Sequence, residues 1–462
     1  MKILKKYINE ISGLRFMYED LKLNSSIGRK YILNQELITD EFILKVELGN
    51  LSAMYDFVIN DQNAITLTKV CDLLKQINDI HSTINNLHSR RILDDIELFE
   101  VKKFGILSQK ITDELNYAGF DILLFHDLNN IIDILDPEQT RIPSFYIYSG
   151  YDERLAELRK IQDNLHDEEP FEIERVRLKC IEIEDEVREK LSHKLSKFSV
   201  ELQKNLNNLG YLDVLIAKSV QAKEMTLCKP EISHDNIEFK GIFNPQIKHI
   251  LNSRSKKYQP VDINLYNSPS LITGSNMSGK TVLLKTVVLA QYLFQFGFYI
   301  PAISAKMNIF DGIMFNIGDD QSELNGLSSF AVEMLKVNEI ITTVKKGKNI
   351  LVLVDELART TNPEEGKALV SAFLEIMNEY NVCSIVTTHY GGVLSGARRL
   401  RVKGLILNDK EKVTVDNIND FMDYSLIEVT DDRVPAEAVR ITEILGVDEE
   451  FIQKTKEFLK NQ

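Results

Sequence analysis

The apolar positions of the first 235 residues recur every three or four places, whereas those of the remainder come in short unbroken runs. In YDERLAELRKIQDNL, Leu155, Leu158, Ile161 and Leu165 share one helical face. The stretch 188–220 sets Leu191, Leu195, Phe198, Leu202, Leu206 and Leu209 on one face and continues through Gly210. Glycine and proline are sparse here and charge fills the outer positions, so the pattern predicts long amphipathic helices with solvated outer faces. After residue 235 the texture alternates. SPSLIT, NILVLVDE, CSIVTTH and RVKGLIL have strand length and are separated by helix-length segments. That alternation predicts an α/β domain with a largely parallel sheet. The proline and polar residues of LCKPEISHD, between the two textures, read as a linker. No internal repeat or low-complexity tract interrupts either half.

Within the α/β half, Gly274, Ser275, Asn276, Met277, Ser278, Gly279, Lys280 and Thr281 satisfy the pattern G-x-x-x-x-G-K-[ST] in full. Glycines let the backbone turn tightly and aim its N–H groups at phosphate oxygens. A helix beginning at Lys280 adds its positive end. Lys280 is placed to reach the β- and γ-phosphates of a nucleoside triphosphate, and Thr281 to ligate Mg2+. A glycine turn between strand and helix is the plain alternative. A second element weighs against it: NILVLVDELART is an apolar strand that delivers Asp355 and Glu356 at its carboxyl end. There Asp355 would hold the metal shell and Glu356 would activate the attacking water. Taken alone, an Asp-Glu pair also suits a helix N-terminus. A third strand, CSIVTTHY, ends at His389, placed to sense the γ-phosphate; a lone histidine is otherwise a packing or surface residue.

Composition narrows the partners. The 462 residues carry a formal net charge of −14, which disfavours general attraction to nucleic-acid phosphates without excluding a local basic patch. Cys71, Cys180, Cys228 and Cys383 lie far apart, with neither zinc-site nor disulfide spacing. The N-terminus is not a signal peptide, and no stretch reaches the roughly 18 uninterrupted apolar residues of a membrane helix. The expectation is a cytoplasmic protein with no membrane partner.

The motifs together resemble the MutS-type ATPases of the ABC superfamily. TGSNMSGKTVLLKTVVLAQYLFQFGFYIPA is similar to that family's phosphate loop and following helix, including the exit from Gly297 to Ala302. NIGDDQSELNGLSSFAVEML is similar to the approach to its Ser-Thr-Phe signature loop, with Ser328, Ser329 and Phe330 in those slots. LVDELARTTNPEEGKAL resembles the Asp-Glu strand and trailing loop, where Arg359, Thr361 and Glu365 stand at the family's dimer-contact loop. TTHY resembles the switch-histidine motif. Tyr258 occupies the place of an aromatic residue that stacks on adenine, with core packing as the alternative; Asn244 replaces the histidine of a His-Pro entry. The resemblance implies an α/β P-loop ABC-type ATPase domain over 236–410, an all-α lever or core domain over 1–235, and a dimerisation tail over 411–462. It implies ATP and Mg2+ as cofactors. It also implies a head-to-tail homodimer, or a pseudo-symmetric heterodimer with a related subunit, in which Ser328 and Ser329 face the partner's ATP.

Departures from the family open the choice of substrate. The first 235 residues are too few for mismatch-recognition domains plus levers, and no Phe-x-Glu wedge occurs among them. Phe373-Leu374-Glu375 fits that pattern inside a helix of the ATPase region. About 50 residues separate the two lever ends, and DNLHDEEPFEIE is acidic where a DNA clamp needs cations. The nuclease domain of the second MutS paralogue is not found in this sequence. Three functions stay open: a DNA mismatch repair-related ATPase, with DNA as partner, which the family resemblance implies; the ATPase subunit of a reactivating factor for an adenosylcobalamin-dependent aminomutase, with that enzyme as client, which short MutS-like chains of this architecture and the tail VPAEAVRITEILGVDEE resemble; or a regulatory ATPase whose helices are a scaffold. The first is the leading expectation and the reactivating factor the main alternative.

Overall fold

The computed structural model describes residues 2–164, 170–275, 278–317, 329–406, 413–414, 417–430 and 438–460. The chain forms two compact units. One comprises Met1–Asp20, Glu36–Leu48 and Ala222–Gln462; the other comprises Leu21–Gln35 and Gly49–Gln221.

The first unit is mixed α/β. Among the described residues it holds ten strands: β1 (Glu231–Ile232), β2 (Asn236–Ile242), β3 (Val261–Tyr266), β4 (Pro269–Thr273), β5 (Ser304–Met307), β6 (Gly312–Asn316), β7 (Ile350–Val354), β8 (Ser384–Thr388), β9 (Arg398–Leu405) and β10 (Met422–Glu428). Six of them form a sheet in the order β10-β9-β4-β8-β7-β6, parallel except for the antiparallel edge pair β10–β9. All five residues of β7 and of β8 are buried, because helices cover both faces of a parallel sheet and leave no polar side. Leu271, Val352, Val354 and Val386 pack with Val370, Phe373, Leu374 and Met377 of the helix Pro363–Glu379 in one apolar cluster. Phe373 is therefore core.

A second sheet, β1-β5-β2-β3, lies outside the expected alternation. Its β3 alternates buried and exposed positions, the mark of a sheet with one wet face. The expected linker at 227–235 contributes to it: Glu231 and Ile232 pair with Lys306 and Met307. The N-terminal segments also belong to this unit. Tyr7 meets Tyr292 with ring centroids 4.9 Å apart, and the Ile38 amide donates to the Gln295 carbonyl at 2.8 Å. Gln295, fully buried, donates from Nε2 to the carbonyls of Ile38 and Phe310. Its amide thus satisfies loop backbone that an apolar side chain would leave unpaired.

The regular structure described in the other unit is helical, with the helices Ser26–Leu33, Ala64–Leu74, Asp95–Tyr117 and Pro170–Leu195, and the helix Ser199–Met225 as far as Gln221, as its main parts. Leu191, Leu195, Leu202, Leu206 and Leu209 are buried as their spacing predicts. The run is not one helix: a 3₁₀ turn at Ser196–Phe198 breaks it, where the Ser196 hydroxyl donates to the His193 carbonyl at 2.8 Å. The helix does continue through Gly210, where an added Cβ would stand 3.1 Å from the Ile27 carbonyl oxygen; the glycine permits that close approach. Of the stripe from Leu155, Leu155 is buried and Ile161 is half exposed, while Leu165 lies outside the described residues.

Lys102 and Asp136 form a buried pair at 3.0 Å, with the Lys102 ammonium also donating to the Tyr148 hydroxyl at 3.1 Å. Burial pushes the Asp136 carboxyl up, but bonds from the Arg141 amide, Lys102 and Thr140 outweigh it and hold it below the ordinary carboxylate range. A depressed carboxyl stabilises the fold at neutral pH, and that contribution is lost as acid protonates it. Lys102→Met leaves the carboxylate buried without its cation. It should lower stability by about 3–5 kcal/mol at pH 7 in urea denaturation of the full chain, and by less as the pH falls below the carboxylate range.

Candidate functional site

The loop between β4 and the helix Lys280–Gln295 wraps around a lysine. Gly279 has φ +78°, a left-handed turn that releases the chain into the helix. Lys280 is 5% exposed, and its ammonium donates to the carbonyls of Gly274 at 2.8 Å and Ser275 at 2.9 Å. The Ser278 hydroxyl lies 3.5 Å away. Burial lowers the lysine's pKa, and the charges of Glu356 and Asp355 oppose that shift. The Glu356 carboxylate stands 4.0 Å from the ammonium.

Two threonines grip the carboxylate at the end of β7. The Thr281 hydroxyl donates to Asp355 Oδ2 at 2.6 Å, and the Thr387 hydroxyl to Asp355 Oδ1 at 2.6 Å. Thr387 Oγ1 also accepts from the Glu356 amide at 2.8 Å. Sheet order explains the convergence: β8 lies between β4 and β7, so the carboxyl ends of all three meet at one edge. Beyond Asp355 the chain turns through two left-handed non-glycine residues, Glu356 (φ +48°) and Ala358 (φ +62°). Ala358 is held at both backbone groups, its amide donating to Glu333 at 2.9 Å and its carbonyl accepting from the Tyr390 hydroxyl at 2.7 Å. Those bonds stabilise a conformation that side chains disfavour.

A cavity of about 680 Å³ opens beside these groups, lined among others by Ser278, Lys280, Thr281, Glu356, Arg359 and His389. Burial lowers the pKa of His389; the nearby Glu356 charge opposes that shift, while Lys280 and Arg359 reinforce it, and the net effect favours the neutral imidazole. Tyr258 and Tyr424 line the same cavity. The Tyr258 hydroxyl accepts from the Asn244 amide at 3.0 Å. The Tyr424 ring lies over Gly279, where an added Cβ would come within 2.9 Å of it.

With this geometry in view, comparison with known proteins is specific. The family model for MutS domain V matches residues 270–461, a span that takes in the lysine loop, the gripped carboxylate and both strands beside it. The chain belongs to the MutS family. Endonuclease MutS2 of Caldicellulosiruptor bescii is 31% identical over 372 residues, covering 74% of this chain and 44% of that protein. Endonuclease MutS2 of Caldicellulosiruptor saccharolyticus is 36% identical over 230 residues, 46% of this chain and 28% of the relative. The DNA mismatch repair protein MSH3 of Vanderwaltozyma polyspora is 35% identical over 196 residues, 41% and 19% respectively. The chain therefore spans less than half the length of these MutS-family relatives.

Against this family background, Lys280, Thr281, Ser278, Gly279, Glu356, His389 and Tyr258 meet at one cavity. Gly274 and Ser275 act behind it through their carbonyls, and Asp355 through the two threonines. Ser329 is exposed at the start of the helix Ser329–Lys345 and is not among the lining residues. Asn276, Met277 and Ser328 lie outside the described residues. Thr387, Glu333 and Tyr424 went unnoticed in the sequence. Thr387 left one signal, a hydroxyl two residues before His389 at the carboxyl end of its strand.

Thr387→Val keeps the shape of this side chain and leaves Asp355 Oδ1 and the Glu356 amide each without a partner. It should cost about 1–3 kcal/mol in chemical denaturation, and Thr387→Ser should recover most of that loss.

Proposed function

We propose that the chain is a MutS-type P-loop ATPase that binds and hydrolyses Mg·ATP and works as a DNA mismatch repair-related dimer. The observation that carries this reading is the grip of Thr281 and Thr387 on Asp355 beside a buried, loop-bound Lys280. Such a set suits a triphosphate with its metal. The ammonium's present partners are loop carbonyls, which phosphate oxygens can replace. Among the described residues no group of three or more His, Cys, Asp or Glu side chains converges on a metal position. That accords with Mg2+, which takes one or two protein ligands and leaves its remaining positions to phosphate and water.

In this reading Gly274 to Thr281 cradle the phosphates, with Lys280 on the β- and γ-oxygens and Thr281 and Asp355 on the metal. Bound magnesium supplies charge neutralisation of the transferring phosphoryl group. Glu356 takes a proton from the attacking water. His389, neutral, offers a hydrogen bond to the γ-phosphate. Tyr258 and Tyr424 wall the adenine. Ser328 and Ser329 complete the site of a second copy, a role supported by the exposure of Ser329 away from its own cavity. The helix Glu449–Lys460 supports a dimerising tail, since Phe451, Phe458 and Leu459 are all more than half exposed on it. The long helices carry the motion outward to DNA. The aminomutase-reactivating alternative gains nothing from the relatives, whose names describe an endonuclease and a mismatch repair protein.

Lys280→Ala should abolish ATP uptake. Glu356→Gln should bind ATP with near-normal affinity, lose at least about a hundredfold in kcat and accumulate as a nucleotide-bound dimer in size-exclusion chromatography. Unchanged turnover in Glu356→Gln contradicts the assignment of the base. Wild-type turnover should rise with duplex, mismatched or branched DNA at physiological salt; no response to any of these removes DNA from the reading.

A further inference from the structure

We propose that Gln259 is the positioning residue for recognition of the base, tying the segment that carries Tyr258 to the β-bulge that carries Tyr424. The inference rests on the ATP reading of this cavity and concerns the purine end of the ligand alone.

The bulge is visible in the strand register. Asp423 pairs with Gly404 and Leu426 with Val402, so Tyr424 and Ser425 together oppose the single residue Lys403. An extra residue in one strand breaks the alternation of side chains and re-aims the bulged ones. Here it delivers Tyr424 to the cavity, with its ring over Gly279. A bulge gives up ladder bonds, and other groups must hold it.

Gln259 supplies them. Its Nε2 donates to Asp423 Oδ1 at 2.9 Å and to Ser425 Oγ at 3.3 Å, and its Oε1 accepts from the Tyr424 amide at 3.1 Å. Each of the three bulge residues is thus bound by one side chain from the neighbouring aromatic segment. Asp423 is fixed further by Lys403 of β9 at 3.1 Å and by the Ser425 amide at 2.9 Å and hydroxyl at 2.5 Å. Tyr258 precedes Gln259 in the chain and is anchored separately, through its hydroxyl on the Asn244 amide. The two aromatic walls therefore come from positions 166 residues apart, and Gln259 is the side chain that sets one against the other. None of its bonds reaches Lys280, Thr281, Asp355 or Glu356; Tyr424 meets the phosphate loop through its ring over Gly279, and the polar contacts of the base end and the phosphate end are separate.

That separation gives the test. The full chain, as wild type, Gln259→Met and Gln259→Glu, is titrated with Mg·ATP and with Mg·tripolyphosphate, which has no base. Wild type should bind ATP more tightly than tripolyphosphate. Gln259→Met should lose about tenfold in ATP affinity and stay within about twofold of wild type for tripolyphosphate. Gln259→Glu sets a second carboxylate against Asp423 and should show the same selective loss, equal or larger. An equal loss for both ligands, or no loss for either, overturns the proposal. Should Gln259→Met fail to fold, Gln259→Glu is read against the same outcomes; failure of both to fold makes Gln259 a brace of the fold and overturns it too. If wild type takes up neither ligand, the ATP reading itself fails. If it takes up both with equal affinity, that reading stands and this inference falls.

Discussion

One carboxylate organises this chain. Asp355 ends a strand buried on both faces, and each of its oxygens accepts a 2.6 Å bond from a threonine on a different element. Thr281 brings in the first turn of the helix after the lysine loop. Thr387 brings in the central strand β8, and through its oxygen the Glu356 amide. Three segments distant in sequence are thereby registered on one atom group. A carboxylate half-buried at a sheet edge is costly unless it is bonded, and each bond here also fixes a group the proposed chemistry uses. The left-handed turn at Glu356 and Ala358, held by Glu333 and Tyr390, extends the same arrangement to the helix Ser329–Lys345 and to the neighbour of His389.

Legibility in the sequence followed burial. β7 read directly, because a strand covered on both faces appears as an unbroken apolar run, and β8 read from its apolar start and its length despite its hydroxyls. The lysine loop read directly too, because its glycines and lysine have fixed spacing. The four-stranded sheet did not, since β2 and β3 alternate and β1 and β5 are very short. The membership of residues 1–20 in the α/β unit was hidden as well. It depends on Tyr7 meeting Tyr292 and on Gln295 bonding Ile38, contacts between positions too far apart for any periodicity to register. Tyr424 was missed for a related reason: its direction is set by a bulge, and a bulge has no composition. The break at Ser196–Phe198 was masked by an apolar stripe that stays in phase across it.

Membership of the MutS family, with less than half the length of the relatives compared, separates two questions. The proposed nucleotide site takes its loop, its carboxylates and its aromatic walls from this chain, and their geometry stands whatever the helices contact. The DNA role rests on kinship and runs against a net charge of −14, which weakens non-specific attraction to phosphates. An acidic protein that still uses DNA must concentrate its cations locally. The acidic stretch DNLHDEEPFEIE does not supply that patch.

The central claim is that Asp355 and Thr281 hold the metal of a bound triphosphate. Calorimetric titration of the full chain with ATP, in magnesium and again in excess EDTA, tests it most directly. The account predicts saturable uptake of one ATP per chain that weakens at least about tenfold without magnesium, and an Asp355→Asn variant whose affinity no longer depends on the metal. Uptake equally strong with and without magnesium in the wild type, or no uptake at all, would contradict it.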